Sequence, residues 1–160
     1  MAANLIKKGH SLIVYNRTKS VAEEFQASYP DSVTVKDTPG EVVSASSVTY
    51  GMLSDPAAAE SVVFSPGGVL ESVAAGKSYI DCSTVDEACS KKIGEAVTAA
   101  GGRFLEAPVS GSKKPAADGQ LIFLCAGDQS LYDEVLESQL VPVMGKMSKY
   151  VGTTVGQGAR

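Results

Sequence analysis

Short apolar runs and amphipathic stretches alternate along the whole chain. Residues 11–15 (SLIVY), 33–35, 48–53, 79–82, 103–107, 120–125 and 148–151 read as strands, each bounded by turn-forming or polar residues. Between them lie helical patterns. Residues 1–8 place Met1, Leu5 and Ile6 on one face, and Gly9 supplies the C-terminal stop. Residues 20–28 carry Val21, Ala22 and Phe25 inward; 39–44 and 56–64 are short helices that open on prolines. Residues 86–100 form the longest one, with Ile93 and Val97 four apart, and 130–137 the last.

Strand–helix alternation at this spacing predicts βαβ units and an α/β fold: a doubly wound, mainly parallel Rossmann-type sheet. With no repeat, linker or low-complexity stretch, residues 1–160 read as a single domain. Hydrophobic content of 44%, 16 glycines and no tryptophan fit that class. A net charge of −4 without a basic run argues against nucleic acid as a partner. No apolar stretch approaches the roughly 18 residues that cross a membrane. Cys82, Cys89 and Cys125 lack C-x-x-C spacing, which indicates neither a metal site nor a disulfide framework. They read as reduced thiols filling a core, so the expected location is intracellular, cytoplasmic or organellar.

Candidate chemistry concentrates in residues 104–121, FLEAPVSGSKKPAADGQL. The apolar strand ends at Pro108, and Val109, Ser110, Gly111 and Ser112 form a tight polar turn. Two hydroxyls and free backbone N–H groups there make a small anion-binding concavity, with Lys113 and Lys114 adding positive potential. An ordinary surface turn is the alternative reading.

Three further turns follow strands on the edge where open parallel sheets bind ligands. Asn16, Arg17 and Thr18 follow the SLIVY strand with no acid among them. An acid there would bind a ribose 2′-hydroxyl, whereas an arginine accommodates a 2′-phosphate. The alternative makes Asn16 and Thr18 helix caps and Arg17 a solvated charge. Leu53-Ser54-Asp55 and Ser83-Thr84 are the other two turns, readable as ligand contacts or as plain N-caps. His10, the single histidine, precedes its strand at the opposite edge, and a catalytic role is rejected.

The wording APVSG, a lysine-rich turn and DGQL resembles the substrate-binding signature of the β-hydroxyacid dehydrogenases, built on the NADP-binding domain of the 6-phosphogluconate dehydrogenase type. SGSKKPA is most similar to the plant-type glyoxylate/succinic semialdehyde reductases. VYNRT, GMLSDPAAAESVVFSPGGVLE and YIDCSTVDE resemble family segments in the same order. The resemblance implies NADP(H) as cofactor, with Asn16, Arg17, Thr18, Leu53, Ser54 and Thr84 as its contacts. It implies that Ser110, Gly111 and Ser112 hold the carboxylate of a small aldehyde-acid or hydroxyacid substrate. The implied reaction is NADPH-dependent reduction of glyoxylate or succinic semialdehyde to the hydroxyacid. A 3-hydroxyisobutyrate dehydrogenase-like enzyme and a non-catalytic NADP-binding or scaffold module stay open, as does a homo-oligomer. Family members with glycine in place of Ser112 leave the substrate's size open.

The sequence also departs from the family. Members read approximately G-x-G-x-M-G-x-x-M-A-x-N-L, and this chain begins at MAANL, so the expectation is a sheet lacking its first strand and a site lacking its glycine loop. The family's catalytic lysine is expected two places past Arg160, and its C-terminal helical domain would follow. No catalytic residue is therefore assigned, and the 160-residue chain by itself is expected to be inactive.

Overall fold

The computed structural model describes residues 1–158. Seven helices and eight strands follow in the order α1 (Ala2–Lys7), β1 (Leu12–Val14), α2 (Lys19–Ser28), β2 (Val33–Val35), α3 (Pro39–Ala45), β3 (Val48–Gly51), α4 (Pro56–Phe64), β4 (Ser78–Asp81), α5 (Glu87–Ala99), β5 (Arg103–Glu106), β6 (Val109–Ser110), α6 (Lys113–Ala117), β7 (Leu121–Gly127), α7 (Gln129–Val135) and β8 (Gly145–Gly152). A 3₁₀ turn spans Val69–Glu71, and an irregular helical segment, Leu136–Met144, broken by non-helical backbone at Val141 and Pro142, joins α7 to β8. The starts of α3, α4, α5 and α7 are set by side chains that satisfy first-turn N–H groups. Thr38 and Glu41 form a reciprocal capping box on α3. Asp55, Asp86 and Asp128 accept from Ala58, Cys89 and Leu131. At the other end of α3, Lys77 Nζ donates to the Ser44 and Ser46 carbonyls at 2.7 and 2.9 Å.

The strands form a two-stranded parallel piece, β1–β2, and a six-stranded piece, β3-β4-β5-β7-β6 with β8 on β7. Pairs β3–β4 and β4–β5 are parallel, with Gly51 opposite Asp81 and Asp81 opposite Glu106. β7 runs antiparallel to both β5 and β6. The fold is the α/β, mainly parallel Rossmann type. β1 and β3 do not pair with each other; a cleft of about 950 Å³ lies along both.

Two cores cover the two faces of the larger sheet, as the strand period of two requires. Ile80, Leu105, Leu121 and Phe123 meet Leu5, Leu131, Leu140 and Met144 on one face. Tyr79 and Phe104, their chain neighbours, meet Val43, Val63, Ile93 and Val97 on the other. Cys82, Cys89 and Cys125 are free and buried in these cores. Burial raises all three thiols above their ordinary range, Cys125 to about 11.

The structure corrects the sequence reading at several points. Val21 is 49% exposed, because α2 packs on β2 of the narrow piece and its first turn stays in solvent. β1 is only half-buried, since one of its sides faces the cleft. The stretch 109–112 is not all turn: Val109 and Ser110 pair with Phe123 and Ile122 of β7, while Lys113 and Lys114 open α6. His10 is half-buried, its Nε2 lying 3.2 Å from the Ser138 carbonyl. No helix among the described residues is long and apolar enough to cross a membrane.

Candidate functional site

The parallel strands bring their carboxyl ends to one edge, and four of the turns read from the sequence leave from there. Asn16-Arg17-Thr18 follows β1, Leu53-Ser54 follows β3, Thr84 follows β4, and the anion turn follows β5 and its proline. Asn16, Arg17, Thr18, Leu53 and Ser54 all line the cleft between β1 and β3. Thr84, Ser110, Gly111 and Ser112 do not line it. The expected contacts thus divide into a clustered set on the cleft and an outlying set beside it.

On the β1 side, the Asn16 carboxamide oxygen accepts from the Thr18 N–H at 2.9 Å, which shapes the turn and leaves the amide NH₂ outward. Thr18 stands at the N-cap of α2 without a side-chain capping bond. Arg17 is exposed and makes no hydrogen bond or ion pair among the described residues. On the β3 side, the Ser54 hydroxyl donates to Asp55 at 2.7 Å. That bond, the Ala58 N–H and the Arg17 charge together hold the Asp55 carboxyl below its ordinary range. Arg17 and Asp55 therefore feel each other across the cleft mouth. The Leu53 N–H is already engaged, donating to the Ser83 hydroxyl at 2.9 Å, so the groups Leu53 can offer a ligand are its carbonyl and side chain. A planar guanidinium that makes no hydrogen bond or ion pair among the described residues, flanked by an amide and a hydroxyl, fits a phosphate oxygen cluster.

Ser110 and Ser112 are exposed, and neither hydroxyl hydrogen-bonds another described residue. Between them Gly111 takes φ +141°, and an added Cβ would lie 2.8 Å from Leu121 and 3.2 Å from Pro115. Only glycine fits that bend. Lys114 pairs with Asp118 at 2.7 Å, while Lys113 stands exposed at the start of α6. Two exposed serines and one exposed lysine around this bend can take a small carboxylate.

Sequence reasoning named Ser83 only as a turn residue and missed the acids beneath these turns, Asp81 and Glu106. Ser83 ties the β3 turn to the β4 turn, and its own N–H donates to Asp81 Oδ1 at 2.9 Å. Asp81 is 2% exposed, and its Oδ2 has no hydrogen-bond partner. Burial pushes its carboxyl up, the Ser83 bonds pull the other way, and nearby Glu106 adds to the rise. Glu106, 3% exposed, accepts from the Ser90 hydroxyl and from the N–H groups of Gly156 and Gly158. The signal was present as an acid closing each of two apolar strands, YID and FLE.

Comparison with known proteins matches this architecture. Residues 1–156 match the family model described as the NAD binding domain of 6-phosphogluconate dehydrogenase. The chain is 51% identical over 160 residues to glyoxylate/succinic semialdehyde reductase 1 of Arabidopsis thaliana, covering 100% of this chain and 53% of that protein. It is 41% identical over 160 residues to the cytokine-like nuclear factor N-PAC of Homo sapiens, covering 100% of this chain and 28% of that one. The chain thus spans about half the length of the reductase and less of N-PAC. The structure superposes on Mycobacterium tuberculosis 3-hydroxyisobutyrate dehydrogenase, determined with L-serine, at a TM-score of 0.86 and 26% identity, over 98% of this chain and 51% of that one. The chain belongs to the family of the NAD binding domain of 6-phosphogluconate dehydrogenase.

Proposed function

We propose that this chain is the nucleotide-binding part of an NADP-dependent hydroxyacid dehydrogenase whose substrate is a small aldehyde acid of the glyoxylate or succinic semialdehyde kind. The observation that carries the reading is Arg17, which follows β1 where an acid would select NAD and makes no hydrogen bond or ion pair among the described residues. The 51% identity to a glyoxylate/succinic semialdehyde reductase supports the substrate class. NADPH, when bound, would supply the hydride. The chain's own part is to hold the 2′-phosphate with Asn16, Arg17 and Thr18 and to border the ribose with Leu53 and Ser54. Thr84 extends that border, and Ser110, Gly111 and Ser112 orient the substrate carboxylate. These residues bind and position; none of them is assigned a proton transfer, and residues 1–160 alone are expected to turn over no glyoxylate.

The test isolates the 2′-phosphate. Adenosine 2′,5′-bisphosphate and AMP are titrated onto the protein by calorimetry. Loss of a hydrogen bond to a charged group costs about 1.5–3 kcal/mol. The bisphosphate should therefore bind tenfold or more tighter than AMP, and Arg17→Ala should remove the difference. Equal affinities in the unmutated protein would refute the NADP assignment.

A second reading, a nucleotide-binding module without catalysis, rests on the 41% identity to N-PAC across the whole chain. It expects the same phosphate selectivity and no carboxylate binding at Ser110–Ser112.

A further inference from the structure

Glu106 is a buried carboxylate at the end of β5, three residues before the strand that carries Ser110. A carboxylate withdrawn from water is tolerated only where hydrogen-bond donors surround it. Its donors here come from two distant places. Ser90 of α5 donates to Oε2 at 2.5 Å. The Gly156 N–H donates to the same oxygen at 2.6 Å, and the Gly158 N–H donates to Oε1. Both glycines lie beyond β8, at the far end of the described chain.

The surroundings leave this turn little freedom. A Cβ on Gly158 would lie 2.6 Å from Glu106 Oε1, 2.6 Å from the Leu124 carbonyl and 3.3 Å from Pro108. A Cβ on Gly156 would lie 2.6 Å from Glu87 Cγ, and that residue has φ +95°. Gly158 thus backs onto the proline that starts the anion turn, and Gly156 onto α5.

We propose that Glu106 is a positioning residue: it latches the Gly156–Gly158 turn against Pro108, fixing that turn beside the anion turn. Calling that turn a substrate site rests on the function proposed above; the latch itself does not. Backbone N–H donors serve this purpose because they report the position of the main chain and not of a rotamer. Two of them on one carboxylate fix both place and direction. The Ser90 hydroxyl is a further donor to the same carboxylate, from α5.

Amide hydrogen exchange read by NMR on residues 1–160 tests this. Gly156 and Gly158 should be protected in the unmutated chain although they lie outside any strand. Glu106→Gln places an NH₂ against one of the two N–H groups and removes the charge. Exchange at both glycines should then rise about tenfold or more, with Phe123 and Leu105 changing far less. Gly158→Ala crowds Glu106 Oε1, the Leu124 carbonyl and Pro108 with its Cβ, and should give the same local result without removing the Glu106 charge. Ser90→Ala should lower overall stability yet leave the two glycines within about twofold of their original exchange. That separates a latch from a general structural role. Unprotected glycines in the unmutated chain would overturn the proposal, as would unchanged exchange in both tail-releasing variants. Succinate titration of the Ser110–Ser112 amides is a separate arm. No response there refutes the functional reading while the exchange result stands on its own.

Discussion

Asp81 and Glu106 lie directly opposite each other on the parallel strands β4 and β5, two buried carboxylates in register. The fold treats them differently. Glu106 is met by donors from α5 and from the chain after β8, whereas Asp81 receives the Ser83 N–H on one oxygen and leaves the other unpaired. A buried carboxylate with an orphan oxygen favours its protonated form. Asp81 is pushed up by burial first, and by Glu106 as a lesser contributor.

The sign of the pH effect follows. In the window above the ordinary value of 3.8 and below the raised folded value, the folded chain holds a proton on Asp81 that the unfolded chain has released. Stability from this group is full below the ordinary value and is lost as pH rises through the folded one. Asp81→Asn keeps an oxygen for the Ser83 N–H and cannot ionise. Its unfolding midpoint in urea, relative to the unmutated chain, should rise as pH goes from 4 to 8. A gap between the two proteins that is constant with pH would contradict this.

Much of the fold is legible in the sequence because its signals are local. The apolar triplets around Ile13 and Thr34, the Thr38–Glu41 capping box and the aspartate caps each act within a few residues. What escaped depends on partners far away in sequence. The β6 pairing is made by Val109 and Ser110 with Phe123 and Ile122, so a stretch that looks like a turn is partly a strand. The kinked segment 136–144 answers to packing against α1, α7 and β8. At the site, the cleft residues were found from turn chemistry at strand ends. Glu106 was passed over because its partners, Gly156 and Gly158, lie 50 and 52 residues away.

Ser110 separates the two proposed binding surfaces. It is absent from the cleft that Arg17 lines, and it is exposed. Ser110→Ala should weaken succinate binding by about 1 kcal/mol, roughly fivefold, given that the hydrogen bond to a charged group is partly offset by water at an exposed site. Adenosine 2′,5′-bisphosphate affinity should be unchanged. Parallel titrations of both ligands check this, and an equal loss of both would show that the surfaces are one.

Gly51 and Tyr79 give the last prediction, on how β3 is held against β4. A Cβ on Gly51 would lie 2.2 Å from the Tyr79 hydroxyl and 2.9 Å from its ring carbon Cζ. The hydroxyl is buried without a hydrogen-bond partner, while the ring stacks on Phe104 with centroids 6.3 Å apart. Gly51→Ala should therefore destabilise by overpacking, about 1–3 kcal/mol. Tyr79→Phe keeps the stacked ring and removes an unsatisfied group whose burial costs about 1–3 kcal/mol, so it should be neutral or stabilising. In the double variant the closest contact is gone and Cζ remains near, so part of the alanine's cost should be recovered. Urea unfolding of the four proteins gives the coupling directly. Additive single effects would mean that the hydroxyl is not what excludes a side chain at position 51.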